Sequence, residues 1–332
     1  MALAPTMSDN RINPMPHPAT SSRPLRACVI LAGGLKLSPL TEACGLSVLD
    51  LPLTERQTVF SVWLSRLDAV RQPEDVLPVR VIFGDNYPPP RSRPQFASIR
   101  LEVSAEPQHY RGPAGVARDV LADIGPDELV LIAEANRYCG APLQDLIRSH
   151  LASGADVTIA ANPDGTPAGL YLMARRCLDL VPAAGFMDLK EQFLSKVRTE
   201  GRVARVHALD PPGSVLIRTR EQLLDAAATA KGIQGSDIEH FANIWPMQGE
   251  SGEPSAFQVV CSGSLIDPQA VVADSIVMEG ARVGPRAIVI RSVIGPNIEV
   301  RSAETVVDSI RFAPPIRARQ SASPAGKERP TR

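Results

Sequence analysis

A short apolar run over 28–31 ends in Gly33-Gly34, and a lysine follows at Lys36. A glycine pair after a strand lets the backbone turn sharply and brings bare N–H groups close to an anion, most often a phosphate. The same residues also serve as an ordinary strand-to-helix turn with Lys36 solvated, so two readings stand open. A second small-residue run, Gly112-Pro113-Ala114-Gly115, carries proline where a first helical turn accepts it, and opens a helix with or without a ligand. Proton-transfer chemistry is sparse. His109 and His207 are isolated, and no histidine occurs from Gly263 onward, which removes the base an acyltransferase would use. Cys28, Cys44, Cys139, Cys177 and Cys261 show neither metal-ligand spacing nor a disulfide framework, which suits a reducing compartment.

Elements that would hold these residues alternate along the first two thirds of the chain. Strand-like runs at 28–31, 79–83, 101–103, 129–133 and 157–160 are separated by helical patterns over 59–70, 114–124 and 143–153. Trp63 falls on the apolar face of the first helix with Val59, Val62 and Leu67. This alternation predicts a largely parallel sheet with helices on both faces, a Rossmann-like sandwich over about 25–228. From Gly263 the pattern changes. Apolar residues recur in steps of six at Ile266 and Val272, then Val277, Val283 and Val289, then Ile294, Val300 and Val306, with single five-residue steps between the sets. Hexads of this kind predict a β-helix of roughly two and a half coils whose open ends favour self-association.

At 332 residues the chain has room for about two domains. A net charge of −1 and a pI near 6.5 give no global reason to expect nucleic acid or a membrane surface as partner. No apolar run approaches the ~18 residues of a membrane span, and a cytoplasmic location is expected. The expected divisions are a disordered segment over 1–25, an α/β domain over 26–230, a linker over 231–262 and hexapeptide coils over 263–312. A basic disordered tail follows over 313–332. Trp245 is expected to pack the two ordered units together.

Segment 28–41, CVILAGGLKLSPLT, resembles the opening motif of the sugar-phosphate nucleotidyltransferases (NDP-sugar pyrophosphorylases), roughly LAGGxGTRLxPLT followed by PKxLL. Further stretches match in order. Residues 106–118 resemble the Q-x-x-GTAGA segment, 129–146 the strand ending in NGD, and 167–182 the NAGIYVF segment. Residues 186–209 and 217–226 resemble the FDLxxDLLP and IGTPEDYL segments. Mannose-1-phosphate guanylyltransferases and NDP-glucose synthases with hexapeptide tails are the most similar in architecture. The resemblance implies a GT-A-like Rossmann sandwich followed by a short left-handed parallel β-helix, with Gly33, Gly34, Gly112, Ala114 and Gly115 against a nucleotide.

The chemistry it implies is transfer of a nucleotidyl group to a sugar phosphate, with a loop arginine, a PKxLL lysine and two aspartates holding Mg²⁺. At those positions this chain has Lys36 in a shortened loop, Leu46, Asn136 with Glu134 nearby, and Leu216. Asp210 lies upstream of Pro211-Pro212-Gly213. The segment that would hold the sugar phosphate is reduced to a turn over 161–168. The resemblance therefore implies a degenerate, non-catalytic protein that binds a nucleotide or NDP-sugar as a regulatory or scaffold subunit. Its partner would be a second copy or a catalytic paralogue, met through the β-helix. The alternative is an active Mg²⁺-dependent transferase with Lys36 catalytic and Glu134, Asn136 and Asp210 holding the metal. Arg218 and Arg220 stand where the family has small or rigid residues, as a solvated pair or as a new anion site.

Overall fold

Seven strands form one mixed sheet at the centre of the first unit. The computed structural model describes residues 24–34, 36–71, 74–107, 110–233 and 257–313. His109, Trp245, most of the expected linker and nearly all of both expected disordered ends lie outside these residues. The strands are β1 (Leu25–Leu31), β2 (Leu77–Phe83), β3 (Ile99–Ala105), β4 (Leu129–Glu134), β6 (Val157–Ala161), β7 (Pro167–Ala174) and β8 (Ala204–Ala208). Their order across the sheet is β3-β2-β1-β4-β7-β6-β8, while β5 (Arg137–Cys139) and β9 (Ser214–Leu216) pair separately.

Strand β1 is buried on both faces, as an apolar run in a helix-covered parallel sheet must be. Cys28 and Ile30 face the core beneath α2 (Val59–Asp68) and α4 (Leu143–Ser153), whereas Ala27 and Val29 face α3 (Gly112–Val120) and α5 (Leu194–Thr199). A capping box starts α2: Ser61 N donates to Thr58 Oγ1 at 3.2 Å and Thr58 N to Ser61 Oγ at 2.9 Å. Trp63 is buried as its spacing predicts, and its indole N–H donates to the Arg137 carbonyl at 2.9 Å. Both α2 and α3 stop sooner than their patterns predict, at Asp68 and Val120.

The sheet is less parallel than the alternation predicts, because β7 runs antiparallel to both β4 and β6. Only a short turn separates β6 from β7, too little chain for a crossover helix. That turn closes on itself: Asn162 N donates to the Thr166 carbonyl at 2.8 Å and Thr166 N to Asp164 Oδ1 at 2.9 Å. Strands β1 to β4 remain parallel. From β1 the chain crosses to β2 on one side while β4 pairs on the other, so the strand order reverses between β1 and β4. Ligands favour the crevice beyond the carboxyl ends of strands at such a reversal.

The second unit consists of short parallel strands, β10 (Gln258–Val260), β11 (Leu265–Ile266), β12 (Val271–Ala273), β13 (Ser275–Val277), β14 (Arg282–Val283), β15 (Ile288–Ile290), β16 (Val293–Ile294), β17 (Glu299–Val300), β18 (Thr305–Val307) and β19 (Ile310–Arg311). They stack into three sheets, β10-β13-β16-β19, β11-β14-β17 and β12-β15-β18, an arrangement consistent with a short parallel β-helix. Val259, Ile276, Val293 and Ile310 lie in register, as do Ile266, Val283 and Val300. Val277, Val283, Val289, Ile294, Val300 and Val306 fill the interior. Two five-residue steps of the sequence pattern coincide with left-handed corners at Asp274 (φ 47°) and Arg291 (φ 45°), and Asp308 (φ 49°) repeats the corner.

A serine follows each of these corners. Ser275 and Ser292 are fully buried; Ser292 N donates to Ser275 Oγ at 3.0 Å and Ser309 N to Ser292 Oγ at 3.1 Å. The hydroxyls donate in turn to the carbonyls of Ala273 and Ile290, at 2.6 and 2.7 Å. Phe257, Val259, Ile276, Met278 and Val293 share a core with Leu40, Leu223 and Leu224 of the first unit. At the rim, Arg220 Nη2 meets Asp308 Oδ1 at 3.2 Å; Arg220 opens α6 (Arg220–Ala230). Replacing Ser292 by alanine leaves a backbone donor of the next coil without its acceptor. The expected cost is about 1–2 kcal/mol, read as a lowered midpoint in urea unfolding.

Candidate functional site

Beyond the ends of β1 and β4 lies an open cleft of about 530 Å³. Its first wall is the turn after β1, where Ala32 N donates to the Ile82 carbonyl at 2.7 Å. A Cβ on Gly33 would stand 2.8 Å from Gly84 N, and one on Gly34 would stand 2.9 Å from Tyr87 Oη. The glycines thus let this turn lie flat against the chain leaving β2. The Tyr87 hydroxyl donates to the Lys36 carbonyl and holds the next residues of the loop. Burial pushes the Tyr87 phenol above its ordinary range, and nearby Arg218 opposes that shift. Ser38 caps α1 (Pro39–Cys44) by accepting from Thr41 N at 3.1 Å, and both side chains line the cleft.

The second wall is the end of β4. Ala135 N donates to the Leu31 carbonyl at 3.0 Å, which brings Glu134 and Asn136 level with the glycine turn. Ile217 N donates to the Asn136 carbonyl at 2.8 Å and Leu40 N to the Arg218 carbonyl at 3.0 Å, so the chain leaving β9 is pinned on both sides. Arg218 consequently faces the cleft. The third wall starts at Asp188, whose Oδ1 accepts from Glu191 N and Gln192 N at 2.7 and 3.1 Å. This cap starts the helical turn over Leu189–Phe193 that continues into α5, and it sets Lys190 into the cleft.

Charge in the cleft is unevenly committed. Glu134 Oε1 lies 3.1 Å from Lys190 Nζ, and Oε2 lies 3.4 Å from Arg137 Nε. Asp188 commits its Oδ1 to the helix cap. Lys36 and Arg218 form no side-chain ion pair or hydrogen bond among the described residues, and both are exposed. Tyr171, buried below, is held neutral first by burial and then by the Glu134 carboxylate. Free cations, exposed backbone and a small-residue turn suit phosphate oxygens.

Of the residues predicted from sequence, Gly33, Gly34, Lys36, Glu134 and Asn136 meet in this cleft. Gly112, Ala114 and Gly115 do not line it; only Pro113 of that run does. Gly112 (φ 69°) packs on the Met187 carbonyl and Phe186, Ala114 is fully buried, and Gly115 lies against Arg111. Arg111 in turn is held by Asp119 at 2.7 Å and by the Pro182 and Gly185 carbonyls. Asp210 is exposed outside the cleft. Leu46 is in the core and Leu216 pairs with Arg137. Arg220 turns away from Arg218 towards Asp308. Lys190, Tyr87, Ser38 and Thr41 were not singled out from the sequence. Lys190 falls within a stretch of family resemblance, but nothing in its spacing marks it as a cleft residue.

The side chains present do not fit the Mg²⁺ site that the resemblance implies. Mg²⁺ asks for hard oxygen ligands in close octahedral array. Glu134 has both oxygens turned to cations, Asp188 commits one oxygen to its helix cap, Asn136 brings no charge, and Leu216 brings no oxygen. No group of three or more His, Cys, Asp or Glu placed to hold a metal occurs among the described residues.

No protein-family model matches the chain, and no curated protein does. Among solved structures, the chain is similar to a glucose-1-phosphate thymidylyltransferase from Bacillus anthracis in complex with sucrose. The TM-score is 0.48 and the identity 13%, covering 63% of this chain and 96% of that one. It is also similar to HddC from Yersinia pseudotuberculosis, with a TM-score of 0.46 and 14% identity over 62% of this chain and 100% of that one.

The two glycines of the turn should respond differently to alanine. Gly33→Ala meets backbone, and the strain of overpacking lowers stability by about 1–3 kcal/mol. Gly34→Ala meets the end of a movable side chain and loses only the Tyr87–Lys36 hydrogen bond, about 1 kcal/mol. Thermal unfolding of the two variants beside the parent checks the order.

Proposed function

We propose that this chain is a nucleotidyltransferase-like protein that binds a nucleotide or NDP-sugar in the β1–β4 cleft without transferring it, as a regulatory or scaffold subunit. One observation carries the reading: Lys36, Lys190 and Arg218 converge on a cleft in which, among the described residues, no group of three or more His, Cys, Asp or Glu is placed to hold a divalent metal. A nucleotidyl-transfer transition state gathers charge on both phosphates, and most of its stabilisation is electrostatic. Three cations suffice to retain a diphosphate, but Leu46 and Leu216 supply nothing where the reaction would need a cation and a metal ligand. The C-terminal coils we read as a left-handed β-helix, whose open last coil would receive a second copy or a catalytic paralogue.

The rival reading, an active Mg²⁺-dependent sugar-1-phosphate nucleotidyltransferase, draws on the meeting of Lys36, Glu134 and Asn136 in one cleft. Calorimetric titration with nucleoside triphosphates and NDP-sugars, in Mg²⁺ and in EDTA, separates the two. The proposal expects saturable binding of similar strength in both buffers, no release of pyrophosphate, and about tenfold weaker binding in Arg218→Ala, or ~1.4 kcal/mol. Binding that requires Mg²⁺, is lost in Asn136→Ala and is accompanied by pyrophosphate release from the triphosphate and sugar phosphate would establish the transferase.

A further inference from the structure

The Glu134 carboxylate stands where an anionic ligand would be expected to rest. Its two oxygens face Lys190 Nζ at 3.1 Å and Arg137 Nε at 3.4 Å; Glu134 and Lys190 line the cleft, and Arg137 is buried beside them. The surroundings are shaped for this pair. Gly169 sits opposite with φ 73°, and a Cβ there would be 2.7 Å from Arg137 Nε and 3.0 Å from Glu134 Oε2. Arg137 cannot follow a ligand outward: its side chain is 9% exposed, its carbonyl accepts from the Trp63 indole, and its backbone pairs with Leu216. Lys190 and Glu134 are the freer members, with side chains 49% and 23% exposed.

We propose that Glu134 is a resident counter-ion that sets the charge selectivity of the cleft. It occupies the anion position beside Lys190, with Arg137 buried next to it, and a ligand phosphate takes its place at Lys190. The inference rests on reading the cleft as a phosphate site. A single phosphate that displaces Glu134 only takes over its contact with Lys190, and it leaves the carboxylate without its partner and beside the bound anion. A diphosphate gains on the exchange, because one phosphate replaces Glu134 while the other reaches Lys36 and Arg218, which have no acidic partner among the described residues. The favoured ligand class is therefore a diphosphate, and a single phosphate is disfavoured by the carboxylate already in place. Like-charge juxtaposition of this kind is a recognised route to discrimination.

The test is calorimetric titration of inorganic pyrophosphate and inorganic phosphate, at fixed ionic strength, into the parent, Glu134→Gln, Lys190→Gln and the double variant. Glu134→Gln is expected to bind pyrophosphate about fivefold tighter, the size of one exposed ion pair. It should also narrow the preference for pyrophosphate over phosphate, and the gain should shrink in the Lys190→Gln background. Glu134→Ala repeats the comparison should the glutamine variant fail to fold. Unchanged or weaker pyrophosphate binding without the carboxylate, in a parent that does bind, overturns the counter-ion role alone. Pyrophosphate binding by none of the proteins overturns the phosphate reading of the cleft and the counter-ion with it.

Discussion

Three parallel strands end level with one another because backbone groups just past their ends are bonded across the sheet. Ala32 donates to Ile82 and Ala135 donates to Leu31, so the turns after β1 and β4 are continuations of the ladder and not free loops. Everything in the cleft depends on that alignment. The turn after β1 can lie flat only where Gly33 and Gly34 have no side chain, and the turn after β4 presents Glu134 and Asn136 at the same height. The chain leaving β9 is then clamped between Asn136 and Leu40, and Arg218 lines the cleft from that clamped stretch. A site of this kind is positioned by main-chain hydrogen bonds, and side chains only complete it.

The balance of charge follows from the same frame. Burying a cation without a partner is costly, so Lys36 and Arg218 remain at the open side of the cleft, in contact with water. Arg137 is drawn inside, and there it is accompanied by Glu134. The cleft thus sets a paired group, Glu134 with Lys190 and the buried Arg137, beside Lys36 and Arg218, which are unpaired among the described residues. Cations at the mouth raise the local concentration of anions, an effect that weakens with salt over about a Debye length of ~8–10 Å.

Much of this was legible in the residues, and the failures have physical causes. The period of six and its five-residue breaks anticipated the stacked parallel strands of the C-terminal unit, because the recurring aliphatics share one interior and each break is a left-handed corner followed by a serine. Gly33-Gly34 was legible as a strand-to-turn signal whatever its ligand. The direction of β7 was not read, since apolar runs carry no sign of their polarity; the brevity of 161–168 was the available clue. Gly112 and Gly115 have the glycine of a ligand loop for a different reason, close packing against Met187 and Arg111. Lys190 was missed because tertiary folding alone brings the start of a helix beside β4, whereas Arg218 was marked by the small residue it replaces.

Ser275, Ser292 and Ser309 bond from turn to turn at a constant interval of 17 residues, and the corners at Asp274, Arg291 and Asp308 keep the same interval. A repeat held by so regular a ladder restricts how such a chain can change length over generations. Loss or gain of one residue between two corners would carry every later strand out of step, turning its inward aliphatics to the outside. Whole turns can be copied or deleted with the stack preserved, so drift in this region proceeds by the coil and not by the residue.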